Sequence, residues 1–385
     1  MNTSVILAYG FRPFFLALPL AACAAVLPLP VLWMGWGALT ALPAGLWHGH
    51  EQIFGVLCAA LAGFLLTAMP SWTGKAPING RGLAGLVILW ILGRLAFWLD
   101  PILPPVLVAG LDVVFLPALL LVVSRYGKPW EFFLALALLT AANAAFHLGR
   151  LEILSLPVER VLYAGQNLFL VLIAIATGRI LPVTLRSALV ETGQSPQIRL
   201  APGRRHLATA TLVLFALADW LAPFQAVTGW IALAAACAQA DRMVELHHGR
   251  ALLRPQVLPF YLAQAWMVVG LGGLGMAILG LDLDPVALRH ALGLGAAALV
   301  ALAVMSIVSL RHSGRAFPLP GVTWLAYGLV SLATGLRMAT ALWAPAHMPI
   351  WGVAIPSILW AAAFVVWVAR FGPWLLHPRK DGQPG

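Results

Sequence analysis

The sequence predicts an all-α, polytopic membrane protein of about twelve transmembrane helices in two six-helix halves, and three observations predict it. Hydrophobic residues make up 62% of the chain and charged residues 9%, against about 45–50% and about 25% in soluble domains. Mean hydropathy is +0.92. Apolar runs of about 20 residues recur from end to end, each long enough to cross about 30 Å of hydrocarbon. A water-soluble globule cannot hide that much apolar surface. The excess of 23 Lys+Arg over 13 Asp+Glu raises a nucleic-acid binder, but no basic block stands on a soluble domain. The charge therefore reads as topology, with the lipid bilayer as partner and no nucleic acid.

Apolar windows bounded by charge, Pro and Gly fall in order. The first, 14–34, follows Arg12 and Pro13, and the second, 44–69, ends at Pro70. The third and fourth, 83–99 and 102–124, are split by Asp100 and Pro101. The fifth, 130–149, closes at Arg150, and the sixth, 158–181, closes at Pro182. The seventh and eighth, 206–221 and 224–240, meet at Pro223. The last four are 257–280, 286–310, 320–342 and 351–371. Residues 1–181 thus carry six spans, 182–205 form a basic loop, 206–371 carry six more, and 372–385 are a tail. All but five of the Lys and Arg residues, Lys128 and Arg199 among them, fall on the amino-terminal side of this scheme. By the positive-inside rule both termini are cytoplasmic. The exceptions are Arg94, Arg150, Arg160, Arg289 and Arg337.

Cys23, Cys58 and Cys237 lie inside apolar runs without CxxC spacing, so they read as packing residues rather than a disulfide or zinc framework. Leu20–Cys23 resembles a lipoprotein cleavage box, but with eleven spans following, the segment reads as an uncleaved first helix. Tryptophans near the span ends, including Trp33, Trp36, Trp47, Trp72, Trp98, Trp220, Trp343 and Trp351, read as an interfacial belt. The glycines of the ninth span, Gly270, Gly272, Gly273, Gly275 and Gly280, read as a close-packing surface.

Topology sorts the ten histidines. His206, His247, His248, His312 and His377 fall on the cytoplasmic side. His48 and His50 open the second span, His147 closes the fifth, His290 opens the tenth and His347 lies in the last outer loop, so four segments bring imidazoles to one membrane face. Imidazole is a common ligand of iron and copper, and polar groups near hydrocarbon are costly unless a partner or function retains them. His48 and His50 are separated by about 200° around a helix, so only one faces a given metal unless the helix start is irregular. Asn143 shares a helix face with His147, where its amide is placed to fix the imidazole tautomer. Glu51 is a partner to the ligands or a proton carrier. Arg94 and Arg337 suit haem propionates by their bidentate geometry, or in the competing reading pair with Asp100 or Asp112. Asp112, the deepest acid, marks a proton path or a pair with Arg94.

Several segments together resemble the NnrS family, bacterial membrane proteins that carry haem and copper and are linked to nitric oxide and denitrification. They are Gly10–Phe15 (GFRPFF), Trp47–Gly55 (WHGHEQIFG), Gly63–Gly74 (GFLLTAMPSWTG), Asn143–Leu148 (NAAFHL), Gly178–Pro182 (GRILP), and the run from His290 through Met305 to His312 and Arg315. The resemblance implies a haem and copper protein of the bacterial inner membrane protecting against nitrosative stress, with nitric oxide as small ligand. It carries over His48, His50, Glu51, His147, His290 and His312, without saying which binds which metal. The sequence departs at Tyr261–Trp266, reading YLAQAW, where relatives have an HLGYAW-like stretch. His312 lies roughly 33 Å along a helix from His290, so it reads as a cytoplasmic cap rather than a ligand of the same metal. The alternatives are a secondary transporter, with Asp112 and Pro117 near the midplane, and a terminal oxidase or nitric oxide reductase subunit, for which the full histidine set is not present. No motif specifies an electron donor or a reaction.

Overall fold

A computed structural model describes residues 5–35, 40–127, 129–198 and 201–383. Trp36, Lys128 and Arg199 lie outside them. The structure is 79% helix, and no strand occurs among the described residues. The long helices are α1 (Phe11–Trp33, broken by a turn at 25–28), α2 (Ala44–Thr73), α3 (Gly80–Trp98), α4 (Pro105–Ser124), α5 (Trp130–Arg150), α6 (Val158–Glu191), α7 (Pro202–Leu221), α8 (Ala226–Met243), α9 (Leu258–Ile278), α10 (Pro285–His312), α11 (Thr323–Trp343) and α12 (Pro345–Leu376). Ten of these, all but α7 and α8, are long and apolar enough to cross a membrane. The chain is a multi-pass membrane protein. α7 and α8 are helical but more polar, with Arg204, Arg205 and Asp219 in one and Gln239, Asp241 and Arg242 in the other.

The basic loop expected over 182–205 begins later, because α6 runs through Pro182 to Glu191. The residues after the proline, Val183–Val190, keep the apolar periodicity. A proline is tolerated inside a membrane helix when neighbouring groups satisfy the freed carbonyl.

Contacts sort the chain into two compact units: Met1–Gly165 with Val308–Arg315 and Trp367–Gly385, and Gln166–Ile307 with Ala316–Val366. In the first unit, the GFRPFF segment explains itself by what it touches. Phe11, Phe14 and Phe15 are fully buried, and the Phe11 N–H donates to Thr67 Oγ1 at 3.1 Å. The buried Arg12 guanidinium donates to the carbonyls of Leu375 at 2.7 Å and His377 at 2.8 Å. Those carbonyls belong to the end of α12, where no helical N–H remains to satisfy them and a cation suits the helix dipole. Beyond that end, Lys380 N–H donates to the Ser313 carbonyl at 3.0 Å, and hydrogen bonding from Arg379 holds the Asp381 carboxyl down to about 2.

In the second unit, α8 and α9 meet through glycines. A Cβ on Gly275 would stand 2.8 Å from the Gly229 carbonyl oxygen, and one on Gly273 would stand 2.3 Å from Leu288 Cδ2. Gly270, Gly273 and Gly275 therefore form a close-packing surface, Gly275 toward α8 and Gly270 and Gly273 toward α10; Gly272 makes only ordinary contact, and Gly280, at φ +108°, has open space around it. Gly275→Val is expected to destabilise the protein by about 1–3 kcal/mol, since backbone cannot move aside as a side chain can. A thermal melt in detergent identical to wild type would show that the two backbones are further apart.

Of the span-end tryptophans, Trp33, Trp72, Trp343 and Trp351 are exposed at helix ends. Trp47 differs: it is buried, packed edge-on against Trp98 with ring centroids 5.1 Å apart.

Candidate metal centre

The site forms where α2 departs from regular geometry. The helix is α over Ala44–His50, π over Glu51–Leu57, and α again from Cys58. A π turn widens the helix and re-aims the side chains beside it, and such turns concentrate at functional sites. Here two consecutive side chains, His50 and Glu51, are both buried, at 0% and 3% exposure. Trp90 of α3 donates its indole N–H to the Gly55 carbonyl inside the π turn at 3.1 Å. Gly55 and Gly93 permit the close approach that follows. A Cβ on Gly55 would meet Arg94 Nη1 at 2.9 Å, and one on Gly93 would meet Asp112 Oδ1 at 3.0 Å.

Into that space α3, α4 and α5 deliver Arg94, Asp112, Asn143 and His147. Arg94 forms ion pairs with both Glu51 and Asp112. The other Asp112 oxygen, Oδ2, lies 2.9 Å from His147 Nε2 and 3.2 Å from His50 Nε2, and accepts from Asn143 Nδ2 at 3.0 Å. The Asn143 carbonyl lies 3.0 Å from His50 Nε2. Glu51 Oε1 lies 3.6 Å from His50 Nδ1. Phe97 stacks flat on His50 at 4.0 Å, and Phe54 and Phe146 close the other sides. One ligand atom each from His50, Asp112 and His147 lies within 4.8 Å of the others, and all three residues are buried.

Two carboxylates face one guanidinium here, which with both imidazoles neutral is a formal surplus of one negative charge in a setting where uncompensated charge is costly. A bound cation or a shared proton removes it. Among the described residues, His50 Nδ1 and His147 Nδ1 are buried without hydrogen-bond partners. Two imidazoles and a carboxylate form a donor set of the kind that binds transition metals.

The remaining sequence candidates are placed as follows. His48 points away from the cluster, its Nδ1 3.1 Å from the Ala25 carbonyl. Asn143, expected to orient His147, instead bonds His50 and Asp112, because both α5 side chains turn toward the acid on α4 rather than toward each other. Arg94 is held by Glu51 and Asp112, while Asp100 pairs with Arg150. His312 belongs to the first unit, stacking near Tyr9 and Phe11 at 5.7 and 5.8 Å. In the second unit, His290 Nδ1 lies 2.7 Å from the Val286 carbonyl, the exposed His347 precedes Met348, and Arg337 Nη1 reaches Met348 Sδ at 3.5 Å. Tyr261 bonds His247 at 2.9 Å through its hydroxyl. A π turn also follows His290 over Ala291–Ala297 and His347 over Met348–Ala354. Sequence reasoning flagged Asp112 as the deepest acid but did not place it among the ligands. Its signal was a lone carboxylate amid an apolar span.

The family model described as NnrS protein matches residues 5–379. The chain belongs to the NnrS family. No curated protein matches it. The donor set of this NnrS-family chain can be tested against each group the resemblance implies. A tetrahedral ion with bonds of about 2.0–2.2 Å holds its ligand atoms about 3.3 Å apart, close to the 3.2 and 2.9 Å that join the histidines to Asp112. A single ion fits. A porphyrin does not fit between His50 and His147, because both Nε2 atoms touch one carboxylate oxygen where haem iron and its ring would need to lie.

Proposed function

We propose that this NnrS-family chain is a bacterial inner-membrane protein that holds one copper ion at His50, Asp112 and His147 and acts in the response to nitric oxide. The observation that carries this reading is the buried cluster itself, three convergent donor atoms with one surplus negative charge. A cuprous ion cancels that charge, and imidazole suits copper. When bound, the metal supplies a centre that binds nitric oxide. The chain's own part is to fix the donors: Arg94 orients the Asp112 carboxylate, Asn143 bridges His50 and Asp112, and the phenylalanines around His50 exclude water.

Haem is the second expectation of the family resemblance, and we assign it to histidines outside the cluster. His290 and His48 each have Nδ1 at a backbone carbonyl, the anchoring that orients a ligating imidazole. We further propose that α7 and α8 also cross the bilayer, completing twelve spans with both termini in the cytoplasm, as the distribution of basic residues favours.

Metal analysis with an optical spectrum tests the reading. Wild-type protein is expected to retain copper, and His50→Ala and His147→Ala to lose it while keeping any Soret band. His290→Ala is expected to weaken that band and keep copper. Wild-type protein holding no transition metal under copper-replete growth would refute the copper site. The transporter reading rested on two six-helix halves joined by a basic loop, with Asp112 and Pro117 as added support, and Asp112 is engaged by Arg94, Asn143 and two histidines. Solute transport by metal-free protein is the result that would favour it.

A further inference from the structure

The second unit contains a cavity of about 40 Å³ where α6 near Gly178, the start of α7 and the end of α8 converge. We propose that it binds a phosphate group, as a lipid phosphodiester or as the free anion. Arg242 lines the cavity at 1% exposure. Among the described residues its one hydrogen bond runs from Nη2 to the Ala174 carbonyl at 3.3 Å, and its Nε has no partner. Among the described residues no carboxylate forms an ion pair with it. Buried guanidinium groups ordinarily have a paired anion; Glu245, the acid among the residues lining this space, lies near enough to act on Arg242 but forms no ion pair with it.

Three further features complete the site. Arg205 stands at its mouth, half-buried, and reaches the Gly178 carbonyl at 3.4 Å. A Cβ on Gly178 would strike Arg205 Cδ at 2.7 Å, which gives the GRILP segment a reason for its glycine. The first turn of α7 has no side-chain cap, and its neighbours Ala201 and Pro202 line the cavity. The Arg204 and Arg205 N–H groups bond the Ala201 carbonyl at 3.1 and 3.5 Å, so this helix start adds its dipole, which favours an anion. Glu245 also lines the space, but its Oε1 is occupied by the Ala201 N–H at 3.1 Å. Two arginines against one glutamate leave a single surplus positive charge, matching one phosphodiester. Basic pockets between helices at the cytoplasmic side bind anionic headgroups, and the sequence puts this end of α6–α8 on that side.

The test is binding to full-length protein, delipidated in neutral detergent, followed by native mass spectrometry and thermal shift. The probes are phosphatidylglycerol, phosphatidylcholine and sodium phosphate. Phosphatidylglycerol is expected to bind and raise the melting temperature, with affinity falling about tenfold or more in Arg242→Gln. Arg205→Gln is expected to weaken binding, and Arg250→Gln, exposed and away from the cavity, to leave it unchanged. Displacement of the lipid by millimolar phosphate assigns the site to the free anion; selective retention of lipid assigns it to the membrane. Equal binding by wild type, Arg242→Gln and Arg205→Gln overturns the proposal. If Arg242→Gln does not fold, unchanged binding in Arg205→Gln alone overturns it.

Discussion

Arg94→Met is expected to destabilise the protein by about 3–5 kcal/mol, the usual cost of removing one partner from a buried ion pair. The guanidinium joins Glu51 on α2 to Asp112 on α4. Without it, two carboxylates, at 3% and 2% exposure, are left with nothing positive beside them but the imidazoles. Methionine keeps most of the volume, so the loss reports charge rather than a cavity. Adding Glu51→Gln to Arg94→Met is expected to recover part of the loss, because one of the two stranded charges is then gone. Thermal melts of the wild type and the single and double variants in one detergent check both statements. A single variant that melts with the wild type would mean that Arg94 does not bridge the two acids.

Asp112→Asn separates metal binding from folding. The amide fills the same space but cannot offer the anionic oxygen that both imidazoles approach, and it removes the surplus negative charge that draws a cation. Metal affinity is expected to fall at least about 100-fold, the upper end of what loss of a supporting partner costs. Asp100→Asn, whose carboxylate pairs with Arg150 outside the cluster, is expected to leave metal content unchanged. Chelator competition on the purified variants decides. If Asp112→Asn holds its metal as tightly as wild type, the carboxylate is not a ligand and the assignment to this cluster fails.

The helical, membrane-spanning character was legible because it rests on composition and window length, which survive errors of several residues at each end. The family was legible from short segments in a fixed order. His50 and His147 were legible as ligand candidates because an imidazole amid apolar residues is conspicuous. Their meeting was not, since no local rule says which helix lies beside which. Asp112 shows the same limit: its depth was plain, but its partners are 18, 31 and 35 positions away in Arg94, Asn143 and His147. The π turn after His50 was the other hidden element. The sequence WHGHEQIFG suits an ordinary helix, and it is the carbonyl taken by Trp90 and the approach of Arg94 that accompany the wider turn. Pro182 was read as a helix end because water-based rules count a missing N–H more heavily than a membrane interior does.

The bond from Arg12 to the end of α12 bears on how the protein is made. The residues that form the metal cluster have all been synthesised by position 147, yet their unit also contains Trp367–Gly385. At about 5–20 residues per second, synthesis of the intervening chain takes on the order of tens of seconds. Throughout that interval the Leu375 and His377 carbonyls that Arg12 binds do not yet exist, and the start of α1 stays uncovered on that side until the last residues of the chain arrive.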